Sequence, residues 1–400
     1  MNTITIDRVR EAVRLRKDEW IDFCRRLIQT PSPTYGEEAV ADLIMQEMKK
    51  LRYDDVWKDG KGNIIGVING TDPDAPVINL NSHMDQVAPG DEKDWLFPPF
   101  AAHMEGGRIY GRGASDTKGA IAVQTYAPGI LLNIGVRPRS TVIATFVVEE
   151  EIWGQGTYSL LEKGEMSFDL SILGEGTSNE IMLGHRGCIG IYVTFIGKSA
   201  HASMPEEGHN PNIDAARFIL RLQEVQARLT PHPDLGKTTM TPTIYSTGEI
   251  SRNVIPEKVV LYVDCRQSLE KRDDLLRILQ GIADELKIHT EIAVVEFRKD
   301  IEKISEGFST PRNHPYIQEA RNIVQKTLDR EVKIGHWQFC TDGRLLSAAG
   351  IPTFGFSPCE ASLAHTYQDS VSISLMEESL CCYPFFFLEM HKFGDNGDRK

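Results

Sequence analysis

Short apolar, β-branched runs that end in acidic or histidine residues constrain this chain more than any other feature. PVINL leads into His83 and Asp85 of NSHMDQV, and GRIYG precedes Asp116 of GRGASDTKG. TVIATFVV runs into Glu149, Glu150 and Glu151, and LSIL precedes Glu175 of LGEGTS. Runs of this length and composition read as strands buried on both faces. A carboxylate placed after such a strand is costly unless something cationic receives it. Imidazoles and carboxylates together are ligands that suit zinc, and His365 in ASLAHTYQD supplies a second imidazole. The pattern predicts a metal site with a spare carboxylate for proton transfer, which is the signature of an enzyme.

Helical patterns alternate with these strands. In GEEAVADLIMQEMKKL, Val40, Leu43, Ile44 and Met48 recur at helical spacing. The alternation predicts an α/β fold with a mostly parallel sheet and helices on both faces. Such a sheet puts its site at the C-terminal ends of its strands, where the candidate ligands lie. After about residue 183 the pattern changes. CIGIYVTFIG alternates as a strand, and PNIDAARFILRLQEVQARL reads as a helix with Ile213, Ala216, Ile219 and Leu220 on one face. Two strands, the helix RDDLLRILQGIADELKI and the strand TEIAVVEF follow, which makes a compact α+β insert. The α/β pattern returns from residue 298. The expected organisation is a discontinuous catalytic domain of residues 1–183 and 298–400 and a smaller domain of residues 184–297.

A chain of 400 residues is long enough for two domains. Its net charge of −13 argues against a nucleic-acid-binding surface. No stretch approaches the roughly 20 apolar residues that cross a bilayer. The segment MNTITIDRVREAVRLRKDEW scatters charges where a signal peptide has an apolar centre, so a cytoplasmic location is expected. Seven cysteines without a CxxC pair argue against a disulfide framework. Cys381 and Cys382, in LMEESLCCYPFFFLEM, are expected in the core.

The motifs SHMDQV, GRGASDTKG, EEEIWGQG, LGEGTS and AHTYQD, in that order, resemble the co-catalytic zinc hydrolase superfamily of acetylornithine deacetylase, succinyl-diaminopimelate desuccinylase, aminoacylase and glutamate carboxypeptidase. The resemblance runs from LIQTPSPTYGEE to the C-terminal helix. It implies two zinc ions, with cobalt or manganese able to use the same ligands. His83 and Glu175 would hold one metal, Glu151 and His365 the other, and Asp116 would bridge them. Asp85 would orient His83, and Glu150 would act as general base. The family's acidic run is usually Asp-Glu-Glu, so Glu149 is a departure. GKSAHASMPEEGHNP resembles the segment whose histidine, here His201, reaches the partner's site across a homodimer. NVIP and DCR resemble substrate-contacting positions, here Asn253 and Arg266. The desuccinylase has two arginines where this chain has His185 and Arg186, which weighs against succinyl-diaminopimelate as substrate and makes His185 a candidate substrate contact.

The implied reaction is hydrolysis of the amide of an N-acyl amino acid or small peptide-like molecule. Two metals share a water and lower its pKa, Glu150 takes and returns the proton, and His201 stabilises the oxyanion. Arg266 and Arg344, the latter in CTDGRLLSAAG, are candidates to catch a substrate carboxylate. A metallo-carboxypeptidase or dipeptidase is the alternative within the class. An inactive ligand-binding relative is the alternative outside it, and it would be expected to lack at least one of these groups. The smaller domain is expected to dimerise and to close over the substrate.

Overall fold

The alternating patterns produce a mixed sheet covered by helices. The computed structural model describes residues 4–162, 164, 166–268, 270–294 and 306–393. The chain divides into unit 1, Met1–Gly184 with Thr310–Gly335 and Thr341–Lys400, and unit 2, His185–Ser309 with His336–Cys340. The expected boundary at residues 297 and 298 lies outside the described residues, as does the end of TEIAVVEF.

The sheet of unit 1 contains β1 (Asp55–Lys58), β2 (Ile64–Ile68), β3 (Ile78–His83), β4 (Val142–Val147), β5 (Leu170–Leu173), β6 (Ile181–His185) and β7 (Thr353–Gly355). They run in the order β1-β2-β4-β3-β5-β7-β6. The inner pairs β4/β3, β3/β5 and β5/β7 are parallel. The outer pairs β1/β2, β2/β4 and β7/β6 are antiparallel. The parallel character expected from the buried apolar runs therefore holds at the centre. At one edge a tight turn makes a hairpin, with Asp59 Oδ1 accepting the N–H groups of Lys61, Gly62 and Asn63 at 2.8, 2.9 and 2.9 Å.

Every residue of β3 is buried, including Asn79, Asn81 and Ser82. These polar groups are satisfied sideways: Asn79 Nδ2 donates to Ser171 Oγ at 2.9 Å and Ser82 Oγ to Gln124 Oε1 at 2.8 Å. The helix Gly119–Asn133, buried nearly all round, packs against the C-terminal helix Ile373–Glu389, where Cys381 and Cys382 lie in the core as expected.

Unit 2 has an antiparallel sheet in the order Thr239–Ser246, Lys258–Arg266, Ile189–Ile196, Thr290–Val294. Helices Pro211–Arg228 and Arg272–Leu286 cover it through Ala215, Phe218, Leu222, Leu275, Leu279 and Ile282. Of the residues Ile213, Ala216, Ile219 and Leu220, Ile219 packs against this core, while Ile213 and Leu220 are 60% and 64% exposed. The helix carries two apolar stripes, and the one with the phenylalanine took the sheet because a large ring buries more area. Among the described residues, no helix is long and apolar enough to cross a membrane.

Candidate metal centre

Three neighbouring parallel strands deliver the site. β3 ends at His83, whose register partner in β4 is Val147, so Glu149, Glu150 and Glu151 emerge beside it. Glu175 follows β5. Asp116 does not follow a strand directly; it lies in the irregular turn Ala114–Lys118 that precedes the helix Gly119–Asn133. Asp369 secures that turn, its carboxylate accepting the N–H groups of Gly113 and Ser115 at 2.6 and 2.9 Å.

Asp116 stands between the two imidazoles. Its Oδ1 is 3.0 Å from His83 Nε2 and its Oδ2 is 2.9 Å from His365 Nε2. His365 Nε2 is also 3.1 Å from Glu151 Oε1, and His83 Nε2 is 4.0 Å from Glu175 Oε1. Ligand atoms of His83, Glu150 and Glu175 lie within 4.8 Å of one another, as do those of His83, Asp116 and Glu151. Glu149 leaves the cluster. Its φ of 57° turns the chain, and its side chain takes Lys61 Nζ at 2.6 Å.

Beneath the cluster, Asp85 is buried. Its Oδ1 and Oδ2 accept the N–H groups of Glu150 and Glu151 at 3.1 and 3.2 Å, and Thr34 Oγ1 donates to Oδ2 at 2.9 Å. His83 Nδ1 is 2.9 Å from the Asp85 carbonyl oxygen and 3.5 Å from its carboxylate. The carboxylate thus shapes the acidic turn as well as facing the imidazole.

The electrostatics point to a cation. Burial pushes the Glu150 carboxyl well above the usual range, with the charges of Asp342 and Glu175 adding to it. Burial likewise raises Glu175 to about 8, and His83 opposes the rise. Hydrogen bonds to Asp116 and Glu151 raise His365 to about 10. Burial works against a charged His83, but Asp116 and Asp85 hold its pKa well above that of free imidazole. Burial also opposes ionisation of Asp116, and the two imidazoles overcome it and hold the carboxyl low. Four carboxylates thus converge on two imidazoles and hold extra protons there, and a divalent cation on these nitrogen and oxygen donors would take the place of those protons. The residues fit the metal that the sequence motifs imply.

The other expected residues are placed as follows. Arg344 is the second residue of the short helix Gly343–Ala348 in unit 1. Its charge acts on Glu150, and its Nε is buried with no protein hydrogen-bond partner. His185, His201, Asn253 and Arg266 belong to unit 2. His201 and Asn253 are in contact, Asn253 Nδ2 donating to His201 Nε2 at 3.2 Å, because the strands Ala200–His201 and Val254–Ile255 pair there. His201 Nδ1 lies 2.7 Å from Ser203 Oγ. Arg266 Nε bonds Asp264 Oδ1 on its own strand at 2.8 Å. His185 is buried edge-on against Phe308, with ring centroids 5.0 Å apart.

Two carboxylates escaped the sequence reading. Asp342, buried, accepts Thr157 Oγ1 at 2.6 Å and raises Glu150. Asp369 holds the Asp116 turn. Both sit inside quoted motifs, CTDGR and AHTYQD, but neither follows an apolar run.

Residues 79–383 match peptidase family M20/M25/M40. The chain belongs to that family. Family M20 proteins are metal-dependent hydrolases of peptide-like amides, so the resemblance drawn from the five motifs holds. The uncharacterized protein YgeY of Escherichia coli is 27% identical over 361 residues, covering 86% of this chain and 87% of that one. A putative LysW-lysine/LysW-ornithine hydrolase of Pyrobaculum aerophilum is 33% identical over 235 residues, 59% of this chain and 62% of that one. Among solved structures, the aminopeptidase PepT of Bacillus cereus superposes with a TM-score of 0.76 at 18% identity, covering 93% of this chain and 98% of that one. That likeness speaks for the M20 fold alone.

Proposed function

We propose that this M20 protein is a two-zinc deacylase that hydrolyses the amide of an N-acyl amino acid. The observation that carries the reading is Asp116, whose two oxygens meet His83 and His365 one each while Glu150 stays buried beside them. His83 and Glu175 would hold one metal, Glu151 and His365 the second, and Asp116 both. Cobalt or manganese would fit the same donors. When bound, such a pair supplies a water of lowered pKa and polarises the substrate carbonyl.

The chain's own residues do the rest. The Glu150 carboxylate takes a proton from the attacking water and returns it to the leaving nitrogen. Its burial keeps the accepted proton from bulk water until it is delivered. Asp85 fixes the peptide groups of Glu150 and Glu151, which sets where both carboxylates point. Arg344, with its Nε unpaired, is the candidate for the substrate carboxylate. Arg266 already has Asp264 and is the second choice. His201, steadied by Asn253 and Ser203, is the candidate oxyanion donor across a homodimer, and His185 a further substrate contact.

The Pyrobaculum relative is named a putative LysW-lysine/LysW-ornithine hydrolase, which favours a deacylase over a carboxypeptidase or dipeptidase. The net charge disfavours nucleic acid as a partner, and the cysteine usage favours the cytoplasm.

The test is release of free amine from a panel of N-acyl amino acids and dipeptides, with and without added zinc. Glu150→Gln is expected to lower turnover about a hundredfold or more while metal content is retained. Near-normal turnover in that variant would remove Glu150 from its role.

A further inference from the structure

We infer that the mouth of the metal centre receives a bulky apolar group, so that the preferred amide carries an aromatic or long aliphatic substituent next to the scissile bond. This rests on the amide-hydrolase reading above. Three exposed rings of unit 1 stand within two residues, along the chain, of groups that build or brace the site: Tyr35 at 74%, Trp153 at 42% and Tyr367 at 42% exposure.

Their chain neighbours place them. Tyr35 follows Thr34, which bonds Asp85, and lies two residues before Glu37, whose Oε1 accepts the N–H of Glu149 at 3.3 Å. Trp153 is two residues beyond Glu151, in the turn closed by Gly154 N–H on Glu149 O at 3.0 Å. Tyr367 is two residues beyond His365, with its ring edge-on to Trp95 at 6.0 Å. Among the described residues of this unit, the other rings exposed by more than a third are Trp57 at 41% and Phe393 at 37%. Three of these five exposed rings are therefore chain neighbours of the groups that build or brace the centre.

The backbone makes a separate point. Tyr35 and Trp153 have φ of 70° and 78°, a region natural to glycine and strained for a large side chain. Tyr35 is mostly in water, so core packing does not account for a ring there. A bound apolar group would remove this surface from water, in the way that apolar walls with a few polar groups recognise small ligands.

The test uses zinc-loaded Glu150→Gln protein, so that binding is read without turnover. Calorimetric affinities are measured for N-acetylglycine, N-acetyl-leucine and N-acetyl-phenylalanine, and for hexanoylglycine and phenylacetylglycine. The two series vary apolar bulk on the amino-acid side and on the acyl side. A bulky member of one series should bind at least about tenfold tighter than N-acetylglycine, and the ratio should fall to about twofold or less in Tyr35→Gly, Trp153→Gly or Tyr367→Ala. Tyr35→Gly should melt no lower than its parent, because glycine relieves the strained φ, which separates lost preference from lost fold. Equal affinities across both series, or no binding at all, overturn the proposal. A ratio that survives all three substitutions also overturns it. Turnover of the same panel by the unaltered enzyme is followed in parallel. No turnover with the affinity ratio intact rejects the hydrolase reading and leaves the apolar mouth standing.

Discussion

Asp85 gives its two carboxylate oxygens to the N–H groups of Glu150 and Glu151 and to Thr34 Oγ1. It is only weakly placed toward His83 Nδ1, at 3.5 Å. A carboxylate can accept all of these bonds at once, whereas an asparagine must present an NH2 to one of them. Asp85→Asn should therefore disturb the turn that carries the base and a candidate ligand, and lower zinc affinity by about 10–100-fold. Competition with a calibrated chelator measures this. An unchanged affinity would show that the turn holds itself. Glu149 and Glu150 show how little separates neighbours here: one pairs with Lys61 and the other stays buried at the centre.

The turn after Glu151 and the helix Gln155–Glu162 are held as one element by Asp342. Its Oδ2 takes Thr157 Oγ1 at 2.6 Å. Its Oδ1 packs so closely on Gly154 that a Cβ there would come within 2.1 Å of it. Gly154 also has φ of 66°, while Gly135 has φ of 73° and nothing within 4 Å of a Cβ. The pair separates two costs. Gly135→Ala should lose about 1 kcal/mol, the backbone penalty alone. Gly154→Ala should lose about 2–4 kcal/mol, because the steric penalty adds to it. Urea unfolding of both variants decides; equal losses would mean that Asp342 moves aside freely.

At the scale of the molecule, metal and proton compete for the same groups. In metal-free protein Glu175 is raised to about 8 and His365 to about 10. These two groups then hold more protons in the folded chain than in the unfolded one from the normal glutamate range near 4.3 up to about 10, so the stability they contribute falls as pH rises through that window. Chelated protein should melt at progressively lower temperature from pH 5 to pH 9. Zinc-loaded protein should show a flatter profile, because zinc replaces those protons. Parallel profiles with and without metal would contradict this. The second expectation concerns association. Ile213 and Leu220 on their helix and Ile244 and Tyr245 on the edge strand Thr239–Ser246 are exposed, an apolar face suited to a second copy. Leu220→Glu with Ile244→Arg should convert a dimer to monomer in sedimentation. A mass unaltered by the substitutions would place any interface elsewhere.

Much of this site can be read from local sequence. An apolar run long enough to be a buried strand, followed by a charge that cannot remain unpaired, marks a candidate site residue; His83, Glu150, Glu151 and Glu175 carry that mark, and Glu149 carries it too but pairs with Lys61. Helices and strands likewise follow from spacing. Other features depend on which distant segments meet. The two apolar stripes of Pro211–Arg228 are equivalent until the sheet selects Phe218. Asp342 and Asp369 have no local signal, because a buried carboxylate that braces a turn is recognised only by the N–H and O–H groups brought to it. The sequence by itself determined most of the strand ends and the candidate donors for a metal, since burial and charge act within a few residues. Only the tertiary structure decided which oxygen faces which imidazole and which glutamate turns away, because those choices are made by contacts far apart in the chain.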